Sequence, residues 1–369
     1  MQIVYINDYE SSTGYSVQAI DTILAMDKVG IDIVPRSFKL ATQTIKCPSR
    51  IYELEKKRID KPITVIQHTL PNYFCYYAGF KNIGYFHCET TNFKPSNWQY
   101  YANLMDEIWV ASKENYKACI DSGVIKPIKI VPKPINVDNY KKEKYDRYEF
   151  LDKDVYVFYH IGDFSSRKNT SALIRCFLET FSRYDNVVLL LKCYVEGTSS
   201  DESRNIIGNE INNIKVSLRK GGFDQYPKII LLTDYVNSDE IYKIHANGHC
   251  FITLEKGAGY NIPAHDAAAF GNWVVASQWG GQNQFIRDSV NGNLLSYEME
   301  TVSGMVRCPY PNIYTCHEEW SNPNVNEFKS LLRSIYENRP EVSLQNRGYW
   351  LNTFSYENSG YRFREYLNV

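Results

Sequence analysis

The chain has 369 residues, of which 44% are hydrophobic and 22% charged, and its formal net charge is −1. That length exceeds one ordinary core and points to two domains of roughly 150 to 200 residues each. The balanced charge advertises no nucleic-acid or membrane surface, and no apolar run approaches the roughly 18 residues of a membrane span.

Nine cysteines without close pairs fit free thiols in a reducing cytosol better than a disulfide scaffold. The opening MQIVYIND reads as a strand and not as a secretory leader, so a cytoplasmic protein is expected. Cys308, Cys316 and His317 have the look of half a metal site, but no second half has matching spacing, and no metal is expected. The 30 tyrosines, with many Ile, Asn and Lys, are explained by an AT-rich genome as readily as by function. Such a genome hints at a viral or low-GC bacterial source, and a viral protein would act in its host's cytoplasm.

In chain order, QIVYI (Gln2–Ile6) is a strand stopped by Asn7-Asp8. Val17, Ile20, Ile23, Leu24 and Met26 then fall at helical spacing, with Gly30 as a C-terminal cap. Strands follow at IDIVPRSF, ITVIQ, NIGYFH, EIWVAS and IKIVP, each separated from the next by a helix-length segment. That rhythm predicts a parallel sheet with crossover helices. Charge dominates from Asn136 to Asp154 and apolar periodicity lapses, which marks a linker. The rhythm restarts at VYVFYHIG, a helix over Lys168–Phe181, and strands at NVVLLLKC, KIILLTD, HCFITLE and WVVAS. The expected architecture is α/β with two doubly wound domains, residues 1–145 and 146–350, ligands lying in a crevice at the carboxyl ends of the strands. The tail, 351–369, is expected to form a terminal helix packed back on the body.

Two strand-to-helix junctions carry chemistry. GAGYNIPAHDAAAFG follows a strand, with Pro263 where a helix begins. The backbone amides of Gly259, Tyr260, Asn261 and Ile262 then suit an anion, and Asp266 one turn further suits a pair of neighbouring hydroxyls. A tight turn explains the stretch equally well. GDFSSRKNTS places Arg167 and Lys168 at a second such junction, the sign needed to clamp a diphosphate. A solvated Arg-Lys pair is the plain alternative. SSTGYS adds Gly14 for close backbone approach after the first strand.

Taken in order and over nearly the whole chain, these stretches resemble retaining GT-B-fold glycosyltransferases of the family 4 type. STGYSVQAI is similar to the family's first glycine loop, FYHIGDFSSRKNTSALIRCFLETF to its Arg-Lys phosphate motif, and EKGAGYNIPAHDAAAFGNWVVAS to its signature of two glutamates eight positions apart. The run from IGYFHCETTNF to IVPKPIN is similar to the family's stretch from acceptor-side strand to linker. The resemblance implies two Rossmann-like domains around an interdomain cleft, the amino-terminal one on the acceptor side and the carboxy-terminal one on the donor side.

By the same resemblance Arg167 and Lys168 neutralise the departing diphosphate, and Gly14 and Gly259 to Ile262 supply backbone contacts. Asp266 holds the nucleotide ribose, His87 lines the donor-sugar pocket, and Glu89 orients an acceptor hydroxyl. Transfer from the nucleotide sugar proceeds without cofactor or metal and with retained configuration. Three departures stand out: Ala258 replaces the first signature glutamate, which leaves Glu255, the nearest carboxylate, as the donor-binding candidate; Asp266 replaces the second; and Asp163 stands where many relatives carry Arg. Ala258 and Asp163 keep open a degenerate binding scaffold. Basic stretches such as Leu54–Lys61 and Lys141, Lys142 and Lys144 permit a modified DNA base as acceptor, although solvated faces explain them more simply. The acceptor class, nucleotide and sugar are not legible.

Overall fold

The computed structural model describes residues 2–11, 13–40, 46–60, 62–303 and 312–369. Cys308 lies outside them. The chain divides into two compact units: Met1–Asp138 with Tyr310–Glu318 and Gly348–Val369, and Asn139–Pro309 with Glu319–Arg347.

Unit 1 holds β1 (Gln2–Asn7), α1 (Gly14–Lys28), β2 (Asp32–Ser37), α2 (Ser49–Glu55), β3 (Pro62–His68), β4 (Lys81–Tyr85), α3 (Trp98–Leu104), β5 (Glu107–Val110), α4 (Lys113–Asp121) and β6 (Ile128–Ile130). Its six strands run in the order β2-β1-β3-β4-β5-β6, all parallel. Thr13 caps α1 through the Ser16 amide and Ser112 caps α4 through the Asn115 amide, which fixes where each crossover helix leaves its strand.

Unit 2 holds β7 (Tyr156–Asp163), α5 (Thr170–Thr180), β8 (Val187–Tyr194), α6 (Ser200–Leu218), β9 (Lys228–Leu232), α7 (Ser238–Asn247), β10 (Cys250–Ile252), α8 (Ile262–Phe270), β11 (Trp273–Ser277), β12 (Gly292–Leu295), β13 (Tyr297–Thr301), β14 (Glu319–Pro323) and α9 (Val325–Asn338). Its main sheet is β12-β11-β10-β7-β8-β9, again parallel throughout. Leu189, Leu190 and Leu191 of β8 are wholly buried, each worth about 1.5–3 kcal/mol relative to exposure. Both faces of a parallel sheet are covered by helices, hence the unbroken apolar run. A Ser199–Glu202 capping box starts α6.

The tail forms two helices, α10 (Leu344–Phe354) and α11 (Tyr356–Leu367), where one was expected, because Ser355 turns extended and caps α11 through the Asn358 amide. In unit 1, α11 lies on α1 so closely that a Cβ on Gly360 would stand 2.5 Å from the Ala25 carbonyl oxygen, and Phe363 stacks on Trp109. Below that contact, Lys133, wholly buried, pairs with Asp21 at 2.8 Å. The Tyr356 hydroxyl donates to the same carboxylate at 2.5 Å.

Candidate functional site

In each unit the strand order reverses once: between β1 and β3 in unit 1, and between β7 and β10 in unit 2. Loops leaving the carboxyl ends of two strands diverge at such a point and leave a crevice there. Arg167, Lys168, Glu255 and Gly259 to Ile262 follow β7 and β10 and Gly14 follows β1, whereas His87 and Glu89 follow β4 and Asp266 lies inside α8.

At the unit 2 point the loops after β7 and β10 are tied together. The Lys256 amide donates to the Arg167 carbonyl at 2.8 Å, and Arg167 Nη1 donates back to the Gly257 carbonyl at 2.8 Å. Glu255 Oε1 takes Arg167 Nη1 at 2.9 Å and Lys168 Nζ at 2.5 Å. Asp163 Oδ1 stands 3.8 Å from Arg167 Nη2. Burial would raise the Asp163 pKa, but Arg167 and Lys168 outweigh it and hold it below the usual carboxylate range. Two cations thus face two carboxylates. An arriving anion must share them with Glu255, and Lys168 has three N–H donors to share. Sequence reasoning placed Glu255 near a donor; the structure makes it the residue that holds Arg167 and Lys168 in register.

Under this cluster, His160 is buried with Nδ1 on the Ile252 carbonyl at 2.9 Å. A carbonyl only accepts, so Nδ1 carries the proton and Nε2, which has no partner, is left as an acceptor. Burial lowers its pKa to about 4. The β13–β14 hairpin braces the β10 loop from the other side: Ser321 donates to the Lys256 carbonyl from both its amide, at 2.9 Å, and its hydroxyl, at 2.8 Å. The Lys256 ammonium pairs with Glu300.

Residues 258–262 follow. Gly281 lies beneath them, its amide on the Ala258 carbonyl at 2.9 Å. A Cβ at Gly281 would come within 2.2 Å of the Tyr260 Cα, so no other residue fits without moving this loop. Asn261 adopts left-handed backbone, φ 70°, and its side chain caps the Ala264 amide. Among the described residues no group accepts the amide protons of Gly259 and Asn261. The Tyr260 ring is turned inward against His265 and Phe285, so only its backbone is placed to meet a ligand. The Ile262 amide opens α8 and, as the first of that helix, has no acceptor within it.

Asp266 is not part of the cation cluster. It is buried in α8, with Oδ1 accepting from the Tyr140 hydroxyl at 2.8 Å. Tyr140 is in turn fixed by Arg347, which donates to its carbonyl and, through Nε, to that of Ala269 at 3.0 Å. Sequence reasoning missed Tyr140 and Arg347, partners that lie far from Asp266 along the chain.

At the unit 1 point Gly14 opens α1, and its neighbour Tyr15 receives the His87 amide on its hydroxyl at 2.9 Å. His87 follows β4. Its Nε2 lies 3.4 Å from His68 Nε2, and His68 Nδ1 lies 2.8 Å from the Tyr5 hydroxyl. His68 stacks on Tyr85 at 4.0 Å. Burial lowers the His87 pKa to about 4 and takes His68 well below its ordinary value, so both are neutral at pH 7. A neutral imidazole can hydrogen-bond to a sugar hydroxyl but supplies no charge. Glu89 points elsewhere, accepting the Tyr314 hydroxyl at 2.6 Å.

No protein-family model matches the sequence, and no curated protein matches it. Solved structures do match the fold. The chain is similar to HepE of Anabaena, solved with UDP and glucose, at 13% identity and TM-score 0.67 over 100% of both chains. It is similar to sucrose-phosphate synthase of Thermosynechococcus elongatus at 12% identity and TM-score 0.66 over 100% of this chain and 98% of the other. The lipopolysaccharide outer core galactosyltransferase WaaB in its apo form matches at 13% identity and TM-score 0.64 over 100% and 99%. The fold is therefore the GT-B class, two Rossmann-like units. No helix among the described residues is long and apolar enough to cross a membrane.

Proposed function

We propose that the protein is a retaining glycosyltransferase that moves a sugar from a nucleoside diphosphate sugar to a hydroxyl acceptor without a metal ion. The observation that carries this reading is the cation pair Arg167–Lys168, held by Glu255 where the strand order of the unit 2 sheet reverses. HepE, of the same fold, has been solved with UDP-glucose, and uridine diphosphate is accordingly the first nucleotide to test.

In this mechanism the bond between the anomeric carbon and the diphosphate oxygen breaks, and the electron pair leaves with the diphosphate. Lys168 and Arg167 stabilise that developing charge, as preorganised cations do where water is excluded. The amides of Gly259 and Asn261 add donors whose dipoles need no reorganisation. The acceptor oxygen bonds to the same carbon on the face just vacated, and its proton passes to the departing phosphate oxygen. Neutral His87 orients a sugar hydroxyl, and Asp266, with Tyr140, receives the ribose. The products are the nucleoside diphosphate and a glycoside of unchanged anomeric configuration.

The test is a melting screen with UDP, GDP and ADP and their sugars, followed by product stereochemistry by NMR. A bound donor raises the melting temperature by mass action. No shift with any of the three nucleotides would remove the reading. A second reading, a binding scaffold without catalysis, draws on the two carboxylates that already balance Arg167 and Lys168 and on Ala258. It predicts a nucleotide-induced shift with neither transfer nor donor hydrolysis.

A further inference from the structure

Unit 2 carries a second group of cations at the other end of its main sheet. Tyr156 opens β7, and His249 stands just before β10. Their rings stack with centres 4.9 Å apart. β7 runs eight residues from Tyr156 to Asp163, at about 3.3 Å each, so this end lies well away from Arg167 and Lys168. Lys142, Arg147, Arg339 and Arg347 gather here. The Arg339 guanidinium stands 5.7 Å from the centre of the Tyr156 ring. Arg147 Nη2 donates to the carbonyls of Asp152 and Lys153, and Arg347 to those of Ala269 and Tyr140.

Helix ends account for two of these cations. Arg339 follows the last turn of α9, and Arg347 meets a carbonyl in the last turn of α8, where the helix dipole favours positive charge. Lys142 has no such reason. Among the described residues its ammonium has no hydrogen-bond acceptor, and neither it nor Arg147, His249, Arg339 or Arg347 has a carboxylate at salt-bridge distance. Lys142, Arg147, His249 and Arg339 are all exposed, yet the protein crowds around them. Burial and then Arg347 push Lys142 down to about 8, against Glu341. Burial and then Lys142, Arg147 and Arg339 push His249 down to about 4, which sets three cations around one imidazole. His249 Nδ1 accepts the Val157 amide at 3.0 Å, so the neutral ring keeps its proton on Nε2, a further donor.

We propose that this end of unit 2 binds a phosphate group, free or as a monoester, with Lys142, Arg339 and His249 Nε2 as its donors. A monoester carries a charge of about −1.5 to −2 at pH 7 and offers three acceptor oxygens, the complement of what the cluster presents. Arginine adds a planar fork of N–H groups that matches phosphate oxygens. Glu341, which acts on Lys142, and Glu143, which acts on Arg347, carry too little charge to balance four cations. The assignment goes beyond the transferase reading and does not depend on it.

The test follows the histidine Cε1–H signals of the full chain by NMR at pH 7, His249 being identified by its loss in His249→Gln. Inorganic phosphate and glycerol 3-phosphate are the probes. The expected result is a saturable shift of the His249 signal with at least one probe, at concentrations raised at least tenfold in Lys142→Gln. Arg339→Gln carries the same expectation and serves if Lys142→Gln fails to fold. In Lys168→Ala the His249 response should be unchanged, which separates it from phosphate held among the donor-side cations. Saturation by the monoester at lower concentration assigns the site to a phosphorylated metabolite and the reverse order to free phosphate; either supports the proposal. No saturable shift with either probe, a response unchanged in both variants, or one lost in Lys168→Ala overturns it. A response to a short DNA duplex alone also overturns it, since the cluster then reads a polymer. Failure here leaves the transferase reading to its own melting screen.

Discussion

The two switch points are built on the same strand crossover and filled with opposite chemistry. In unit 2 the loops after β7 and β10 bring together Asp163, Arg167, Lys168 and Glu255 in a chain of ion pairs. In unit 1 the ends of β1, β3 and β4 and the start of α1 bring together Tyr5, Tyr15, His68, Tyr85 and His87, with burial keeping both imidazoles neutral. The crossover supplies a location and no chemistry. A charged cluster suits the phosphate end of a donor, where charge develops, and a neutral aromatic-imidazole cluster suits hydroxyls.

The largest expected effect breaks the charged side. Lys168→Ala should lower turnover about 100- to 1000-fold with the fold retained, checked by initial rates and circular dichroism. Full activity in that variant would separate the cluster from the chemistry. Next comes acid. His87 has a folded pKa of about 4 against an ordinary value near 6.5. The unfolded chain therefore binds its proton first, and stability, complete above about pH 6.5, is lost as the pH falls toward 4, by about 3 kcal/mol for this residue. His68 and, in unit 2, His160 contribute with the same sign. Urea unfolding at a series of pH values measures the slope, and histidine proton NMR shows whether His68 and His87 stay neutral at pH 5.5, where Asp163 remains ionised.

A smaller effect sharpens the comparison. Glu255→Gln removes a competitor of the incoming anion, so UDP should bind several-fold tighter while turnover falls roughly tenfold as Arg167 and Lys168 lose their placement. Calorimetry with UDP, alongside rates, separates the two. The smallest is Asn261→Gly, which keeps the left-handed backbone and loses only the cap. It should cost a few tenths of a kcal/mol, against about 1–2 kcal/mol for Asn261→Ala, which adds strain at φ 70°.

The parallel sheets were legible because buried strands such as Val187–Tyr194 are continuous apolar runs bounded by polar turns. Arg167 and Lys168 were legible because a strand-to-helix junction is a local pattern. The β13–β14 hairpin was not, since YEMET and EWSNP mix charge with aromatics and show no run of buried residues. Nor were the partners that decide what the site residues do. Glu255 lies 87 residues from Lys168 along the chain, Tyr140 lies 126 from Asp266, and Tyr314 lies 225 from Glu89. No window of sequence contains such pairs, and only the fold brings them into contact. The break at Ser355 is a cap of one residue inside a helical pattern, which periodicity reads through.

The seating of α11 on α1, with Gly360 against the Ala25 carbonyl, has a consequence for synthesis on the ribosome. The first unit starts to emerge before the second, yet its closing helix is translated after nearly all of the other unit has been made. Until then the ring of Trp109 lacks its cover and Lys133–Asp21 lacks the Tyr356 hydroxyl. The first unit therefore cannot complete its own core until the last helix of the chain has been made.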